Sequence, residues 1–213
     1  MQEALQNTPV ASIIFAFTLL TSGYALYFNH DVNYALSLHP YSIKRGSRYY
    51  TILTSGFVHG DFWHLLFNMM TFYFFAFPLE TIFVMAKGPM GHWLFAGLYL
   101  VSLVLSDISS IIKHKNNFQY YSLGASGAIA AVLFSMIMFM PQMKISMMFI
   151  PIGIPAFIFG PLYLAYCVYA SKNQQDNVNH DAHFYGALTG VVFTILTFPG
   201  VLSHFISSLL GGE

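Results

Sequence analysis

The stretch Gly124–Ala131, which reads GASGAIAA, decides how the chain folds, because it opens an apolar run that continues to Met140. Nearly all of its residues are small, and small residues let two helix backbones approach closely inside a membrane. Ser126 is its one polar side chain. Considered alone, Ser126 is best explained by helix packing. A second interpretation is that a substrate must approach the hydroxyl closely.

The composition of the chain indicates an integral membrane protein. Charged residues make up only 8% of it, whereas a soluble domain carries about 25%. The net charge is zero without a basic cluster, so nucleic acid is not an expected partner. A single cysteine, Cys167, excludes a disulfide within the chain. Residues 1–8 contain no Lys or Arg, so we expect the first apolar run to be retained rather than removed as a signal peptide.

Apolar runs of about 20 residues predict six membrane-spanning helices. The predicted spans are Pro9–Phe28, Trp63–Met85, His92–Ile112, Leu123–Met140, Pro151–Ala170 and Asp181 to about Leu210. Three prolines make the fifth span the least regular, and Pro199-Gly200 predicts a break in the sixth. The connection Asn29–Phe62 is too polar to span but is rich in aromatic residues, which suit the membrane interface. We therefore predict an all-α membrane protein forming one domain, residues 1–213, with a long interfacial loop between helices 1 and 2.

Polar residues open the three even-numbered spans. His64 opens the second, Ser126 the fourth and His183 the sixth, so six spans place all three on one side of the bilayer. Asn68 lies four residues after His64, on the same helical face, and His59 lies in the preceding loop. Polar side chains such as these also hold membrane helices together without any catalytic role. The shared side favours a common site.

The chemistry of these residues fits acyl transfer. His183 precedes Gly186 by three residues and Gly190 by seven, so it lies on a close-packing face and needs a neighbour. A serine hydroxyl becomes a good nucleophile when a neutral histidine takes its proton. We expect Ser126 and His183 to form a dyad, because Asp181, two residues from His183, points in a different direction.

Acyl transfer also needs donors for the developing oxyanion. The Asn68 amide, a ring N–H of His64 and backbone N–H groups at the start of the fourth span are donors of this kind. Two other motifs are absent: Ala128 replaces the last glycine of Gly-x-Ser-x-Gly, and no His-Glu-x-x-His stretch occurs.

A metal held by several histidines is a further alternative. The candidate ligands are His59, His64, His180 and His183. Their spacings along the chain do not form a matched pair of ligands on one helix. No metal is expected.

Taken together, the motifs resemble those of the rhomboid family of intramembrane serine proteases. The resemblance covers about residues 46–200. The family's two histidines and asparagine appear as His59, His64 and Asn68; its Gly-x-Ser-Gly as Gly124, Ala125, Ser126 and Gly127; its Ala-His-x-x-Gly-x-x-x-Gly as Ala182, His183, Gly186 and Gly190. Glu80 is similar to a glutamate of the family late in the second span.

The resemblance implies a rhomboid-like bundle in which Ser126 is the nucleophile and His183 the general base. It implies that His64 and Asn68 line the oxyanion hole, that the loop after the first span is embedded in the membrane, and that the fifth span is a lateral substrate gate. Expected substrates are single-pass transmembrane proteins, cut in or near their membrane helix. No cofactor is implied. A bacterial inner (plasma) membrane is the expected location, and the oligomeric state is left open.

Some features depart from the family pattern. The Trp-Arg of the first loop aligns with Tyr50-Thr51, which leaves the arginine's role unfilled or transfers it to Arg48. Ala130 stands where many members place an aromatic residue that stacks on the histidine. Asp107 has no role, unless it lies near Lys113. The positive-inside rule, applied to the Lys and Arg counts of the loops, places the site on the cytoplasmic side. In bacterial members of the family the site faces away from the cytoplasm, and we adopt that orientation as the expectation.

Two rival functions are open on sequence grounds. A catalytically inactive rhomboid-like binding protein would tolerate the loss of Ser126. A small transporter or channel would carry ionisable residues through the depth of its bundle. In this chain most of the ionisable residues lie at one end of the predicted bundle, and Asp107 and Glu80 are the exceptions.

Overall fold

The computed structural model describes residues 7–147, 150–173, 176 and 178–211. In that part the chain is mostly helical. The ten α-helices are α1 Pro9–Tyr27, α2 Asp31–Leu36, α3 Pro40–Lys44, α4 Thr51–Thr54, α5 Phe62–Lys87, α6 Met90–His114, α7 Ser126–Phe139, α8 Ala156–Asn173, α9 His180–Thr197 and α10 Val201–Leu209. A 3₁₀ turn, Ser55–Phe57, follows α4, and an antiparallel hairpin of β1 Lys144–Met147 and β2 Ile150–Pro155 precedes α8.

Three of the described helices, α1, α5 and α6, are each long and apolar enough to cross a membrane. The pair α9 and α10, bent by 111° at the predicted Pro199-Gly200 break, is a fourth candidate if it counts as one span. The chain is therefore a multi-pass integral membrane protein. Helix α7 has only 14 residues, or about 21 Å of length, against a hydrocarbon core of about 30 Å. The count of six spans stays a prediction.

Two predicted spans begin later than the sequence suggested. Helix α7 starts at Ser126 rather than Leu123, because Gly124 adopts a left-handed backbone conformation (φ 116°) that a helix cannot include. Helix α8 starts at Ala156 rather than Pro151, because the preceding residues pair as β2 with β1. The prediction of helix from Pro151 is therefore wrong for residues 151–155, which form a strand of the hairpin.

Helix α7 forms the centre of the bundle. Its residues from Gly127 to Met138 are all buried, and it contacts α5, α6, α8, α9 and α10. A helix that is apolar on every side must be enclosed by others, as this one is.

The contact between α7 and α9 is the tightest in the fold. A Cβ atom on Gly186 would overlap the carbonyl oxygen of Gly127, and one on Gly190 would overlap that of Ala131. One turn further, the Thr194 hydroxyl donates to Ser135 Oγ at 2.6 Å. Small residues four apart on each helix thus bring the two backbones together along three successive turns.

Glu80 fixes the start of α1 at the far end of α5. Its fully buried carboxylate accepts hydrogen bonds from the backbone N–H groups of Val10 (3.1 Å) and Ala11 (2.7 Å), which have no partner within the helix. His92 Nδ1 on α6 lies 2.6 Å from the same carboxylate. Glu80 therefore joins α1, α5 and α6.

The long loop between α1 and α5 contains α2, α3, α4 and the 3₁₀ turn. Arg48 holds it together by donating to the backbone oxygens of Tyr34, Ala35 (3.0 Å) and Ser37 (3.3 Å). This contact gives Arg48 the role of a loop anchor. The position of the loop at the membrane interface stays a prediction.

Candidate active site

Ser126 and His183 occupy the first turns of the two helices that pack most closely. Ser126 is the first residue of α7, and His183 is the fourth residue of α9. A Cβ atom on Gly127, next to Ser126, would lie 3.3 Å from the backbone oxygen of Ala182, next to His183. Both side chains are half-buried. No hydrogen bond joins them here; catalytic hydrogen bonds are often long or poorly aligned until a substrate is bound.

His64 lies against the backbone immediately before Ser126. Its Nε2 atom is 2.6 Å from the position that a Cβ atom on Gly124 would take, so only glycine leaves room for the ring. The backbone N–H of Gly60 donates to His64 Nδ1, with 3.4 Å between the two nitrogen atoms. Because Nδ1 is the acceptor, the hydrogen of the neutral ring is on Nε2. Asp61 fixes the start of α5 by accepting from the His64 backbone N–H at 2.8 Å. The ring thus directs an N–H towards the Ser126 loop.

Asn68 is buried one turn further along α5. Its amide Nδ2 donates to the His64 backbone oxygen at 2.9 Å, a contact within the helix rather than to a neighbouring one. This contact does not support the alternative that Asn68 holds two helices together. The second hydrogen of the amide has no partner in the described chain.

His59 connects the loop to α1. The Ser22 hydroxyl donates to the Phe57 backbone oxygen at 2.9 Å, so it accepts from His59 Nδ1, which lies 2.8 Å away. His59 is fully buried, and burial lowers the pKa of its ring to about 3, which keeps it neutral. Its ring meets that of His64 edge to face, with centroids 4.8 Å apart. His59 therefore packs against His64 and joins the loop to α1, and none of its contacts among the described residues is with Ser126.

The segment before Ser126 is held by the long loop and by α6. The Gly124 N–H donates to the Ser55 backbone oxygen at 2.9 Å, and the Ser55 hydroxyl donates to Asp107 at 3.3 Å. Leu38 and Ser122 exchange two backbone hydrogen bonds in an isolated bridge. Asp107 thus acts through Ser55 on the backbone two residues before the serine.

Asp107, placed near Lys113 on sequence grounds, has its hydrogen bond with Ser55 and none with Lys113 among the described residues. Lys113 forms its ion pair with Asp181, which also accepts from the Ser171 hydroxyl at 2.6 Å. Because Asp181 is engaged by these two partners, it is not available to orient His183. This favours a dyad over a triad.

Asn179 links the start of α9 to the Ser126 segment. Its side-chain oxygen accepts from the Ala182 N–H at 3.1 Å as the N-cap of α9. Its amide donates to Ser110 Oγ at 2.7 Å and to Ser122 Oγ at 3.3 Å. No sequence pattern singles out Asn179, because the partners of its amide lie 57 or more residues away.

Tyr163 on α8 lies beside His183. The two rings are nearly parallel, at 18°, with centroids 6.4 Å apart. This is the outer range of aromatic contact, and it supplies a ring face where Ala130 on α7 has none. The family pattern places an aromatic partner on α7, so the sequence carries no signal for the one on α8.

The family model of the rhomboid domain matches residues 46–200, which is most of the chain. The chain belongs to the rhomboid family. The matched range contains every site residue predicted from the sequence, from His59 to Gly190.

Two curated rhomboid proteins are similar to this chain. RHOMBOID-like protein 12, mitochondrial, of Arabidopsis thaliana is 24% identical over 75% of this chain and 49% of its own length. Rhomboid protein 1, mitochondrial, of Saccharomyces cerevisiae is 27% identical over 67% of this chain and 40% of its own length. The chain thus spans less than half the length of these relatives. Both are mitochondrial, so they do not support the expected location in a bacterial inner membrane.

Proposed function

We propose that this rhomboid is an intramembrane serine endopeptidase that cleaves single-pass transmembrane proteins in or near their membrane helix. Ser126 is the nucleophile and His183 the general base. The observation that carries the proposal is the backbone contact between α7 and α9, which brings the first turns of the two helices together. A serine and a histidine are the residues that acyl transfer requires at such a contact.

In the proposed reaction His183 takes the proton of the Ser126 hydroxyl as its oxygen attacks the substrate carbonyl. His183 then returns that proton to the leaving amine, and a water molecule, activated by the same histidine, hydrolyses the acyl-enzyme. The oxyanion is stabilised by Nε2–H of His64, by the free amide hydrogen of Asn68 and by the backbone N–H of Ser126. That last N–H is free because the first turn of a helix has no internal acceptor.

The length of α7 supports a site recessed in the bilayer. A helix of about 21 Å that ends near one membrane surface begins well short of the other, so Ser126 would lie below that surface. Substrate entry between α8 and its neighbours is consistent with the exposure of α8, in which Ala156, Gly160 and Cys167 are the buried residues described.

The test is cleavage in a purified system. The protein, reconstituted in liposomes with a reporter that has one transmembrane helix, is expected to produce two fragments whose masses place the cut in or near that helix. An intact reporter, with protein shown to be folded, would contradict the proposal and favour the catalytically inactive alternative.

Removal of the Asn68 amide is expected to slow the chemical step. Without one oxyanion donor, kcat of Asn68→Ala should fall about 10²–10³-fold with little change in KM. The matched control is Asn173→Ala, since Asn173 donates to the backbone oxygen four residues before it at the same 2.9 Å but lies exposed on α8. Equal kcat values for the two variants would mean that the Asn68 amide does not stabilise the oxyanion.

A further inference from the structure

Three potential metal ligands meet on α8 and α9 beside the proposed dyad. Cys167, His180 and His183 each offer a ligand atom, and these atoms lie within 4.8 Å of one another. The edge of a tetrahedral zinc site is about 3.5 Å when its bonds are 2.0–2.3 Å long. Small side-chain rotations therefore suffice to close the three atoms around one ion.

His180 is arranged as a metal ligand even without an ion. Its side chain is about 5% exposed, and its Nε2 lies 3.0 Å from a carboxylate oxygen of Asp176. Its other nitrogen, Nδ1, is buried without a hydrogen-bond partner in the described chain. A histidine that ligates a metal typically donates its second ring N–H to a carboxylate in this way. The bond to Asp176 leaves the lone pair on Nδ1.

The other two ligands define the class of ion. Cys167 is 1% exposed and supplies a thiolate, and His183 supplies a second imidazole. Thiolate and imidazole together suit zinc, and three protein ligands leave a fourth position for water. His183, one turn along α9 from His180, is the half-buried member of the set and gives the ion a path from solvent.

We propose that Cys167, His180 and His183 form a zinc site whose occupation inhibits the protease. The inhibition, though not the site, rests on the proposed function. On binding, the thiol proton of Cys167 leaves to solvent, and the two imidazoles ligate through their lone pairs. The lone pair of His183 is the one that must accept the Ser126 proton, so the ion and the reaction compete for the same atom.

The first experiment measures binding without activity. Co²⁺ is titrated into folded protein carrying Ser126→Ala, and absorption is followed for the charge-transfer band of a cobalt–thiolate bond. Cys167 is the only cysteine of the chain, so a band assigns that ligand directly. We expect the band to appear, to be lost on addition of Zn²⁺ and to be absent in Ser126→Ala/Cys167→Ala. A folded protein without a band would overturn the site.

The second experiment measures inhibition. Saturating Zn²⁺ is expected to slow cleavage by the active protein about 10⁴-fold or more, as the loss of the His183 base would, and a chelator should restore the rate. The cleavage rate of each variant with zinc is divided by the rate of the same variant without zinc. Cys167→Ala and His180→Ala should raise the zinc concentration for half-inhibition by at least about 10–100-fold. His30→Ala, which removes an exposed histidine of the long loop, should not change it.

The outcomes separate the two proposals. The inhibitory role would be overturned if Cys167→Ala and the unaltered protein had the same zinc concentration for half-inhibition. It would also be overturned if the cobalt band appeared but zinc did not slow cleavage. A cobalt band in a protein that never cleaves its reporter would overturn the protease function and leave the metal site standing.

Discussion

Replacement of Ser126 by alanine is expected to abolish cleavage, with a loss of about 10⁴-fold or more in kcat. The half-buried Ser126 hydroxyl is the one serine, threonine or cysteine side chain in the first turns of α7 and α9, both of which the structure describes. His183→Ala should have an effect of the same size, because the hydroxyl is a weak nucleophile without a base. Initial rates of reporter cleavage in liposomes measure both effects.

The double variant tests whether the two residues act as a unit. If they do, Ser126→Ala/His183→Ala is no slower than Ser126→Ala alone. Ser135→Ala is the matched control, since Ser135 is a buried serine nine residues further along α7 and contacts Thr194 instead of the site. Cleavage by Ser126→Ala at the rate of the unaltered chain would mean that Ser126 serves packing alone.

Substitution of Gly186 by alanine is expected to produce the largest loss of stability. The added methyl group would overlap the backbone oxygen of Gly127, and a backbone cannot move aside as a flexible side chain can. Overpacking typically costs about 1–3 kcal/mol, and this rigid contact should reach the upper end of that range. Because α9 must move away from α7, cleavage should fall as well. Denaturant unfolding in detergent and reporter cleavage measure the two effects.

Gly23 provides the control for this substitution. It also lies within an apolar helix, α1, but nothing is within 4 Å of the position that its Cβ would take. Alanine is favoured over glycine in helices by about 1 kcal/mol, so Gly23→Ala should be neutral or slightly stabilising. If Gly186→Ala behaved like Gly23→Ala, the close contact between α7 and α9 would be contradicted.

The sequence was most informative where a local pattern determines a local structure. The glycines of the GASG and AHxxGxxxG motifs indicated that the Ser126 and His183 helices pack closely, and the described backbone contacts agree. The sequence was less informative about the residues at which helices and strands begin. The left-handed Gly124 depends on the hydrogen bond of its N–H to Ser55, 69 residues earlier, and the hairpin before α8 depends on pairing between two strands. Neither has a local signature.

The residues that surround His183 could not be predicted at all. Tyr163 and Cys167 lie on α8 within an ordinary apolar run, and only the packing of α8 on α9 brings them to the histidine. A metal held by histidines alone does not fit the spacing of the histidines along the chain. The third ligand, from another helix, cannot be found by counting residues along one helix.

An activated Ser126 nucleophile is what distinguishes a protease from a protein in which this serine only packs two helices together. The most direct measurement is labelling of the folded protein with a fluorophosphonate, followed by mass spectrometry of the peptides. We predict one label, on Ser126, that is lost in His183→Ala and retained in Ser135→Ala. A label on another serine, or cleavage of the reporter by a protein in which Ser126 stays unlabelled, would contradict the account.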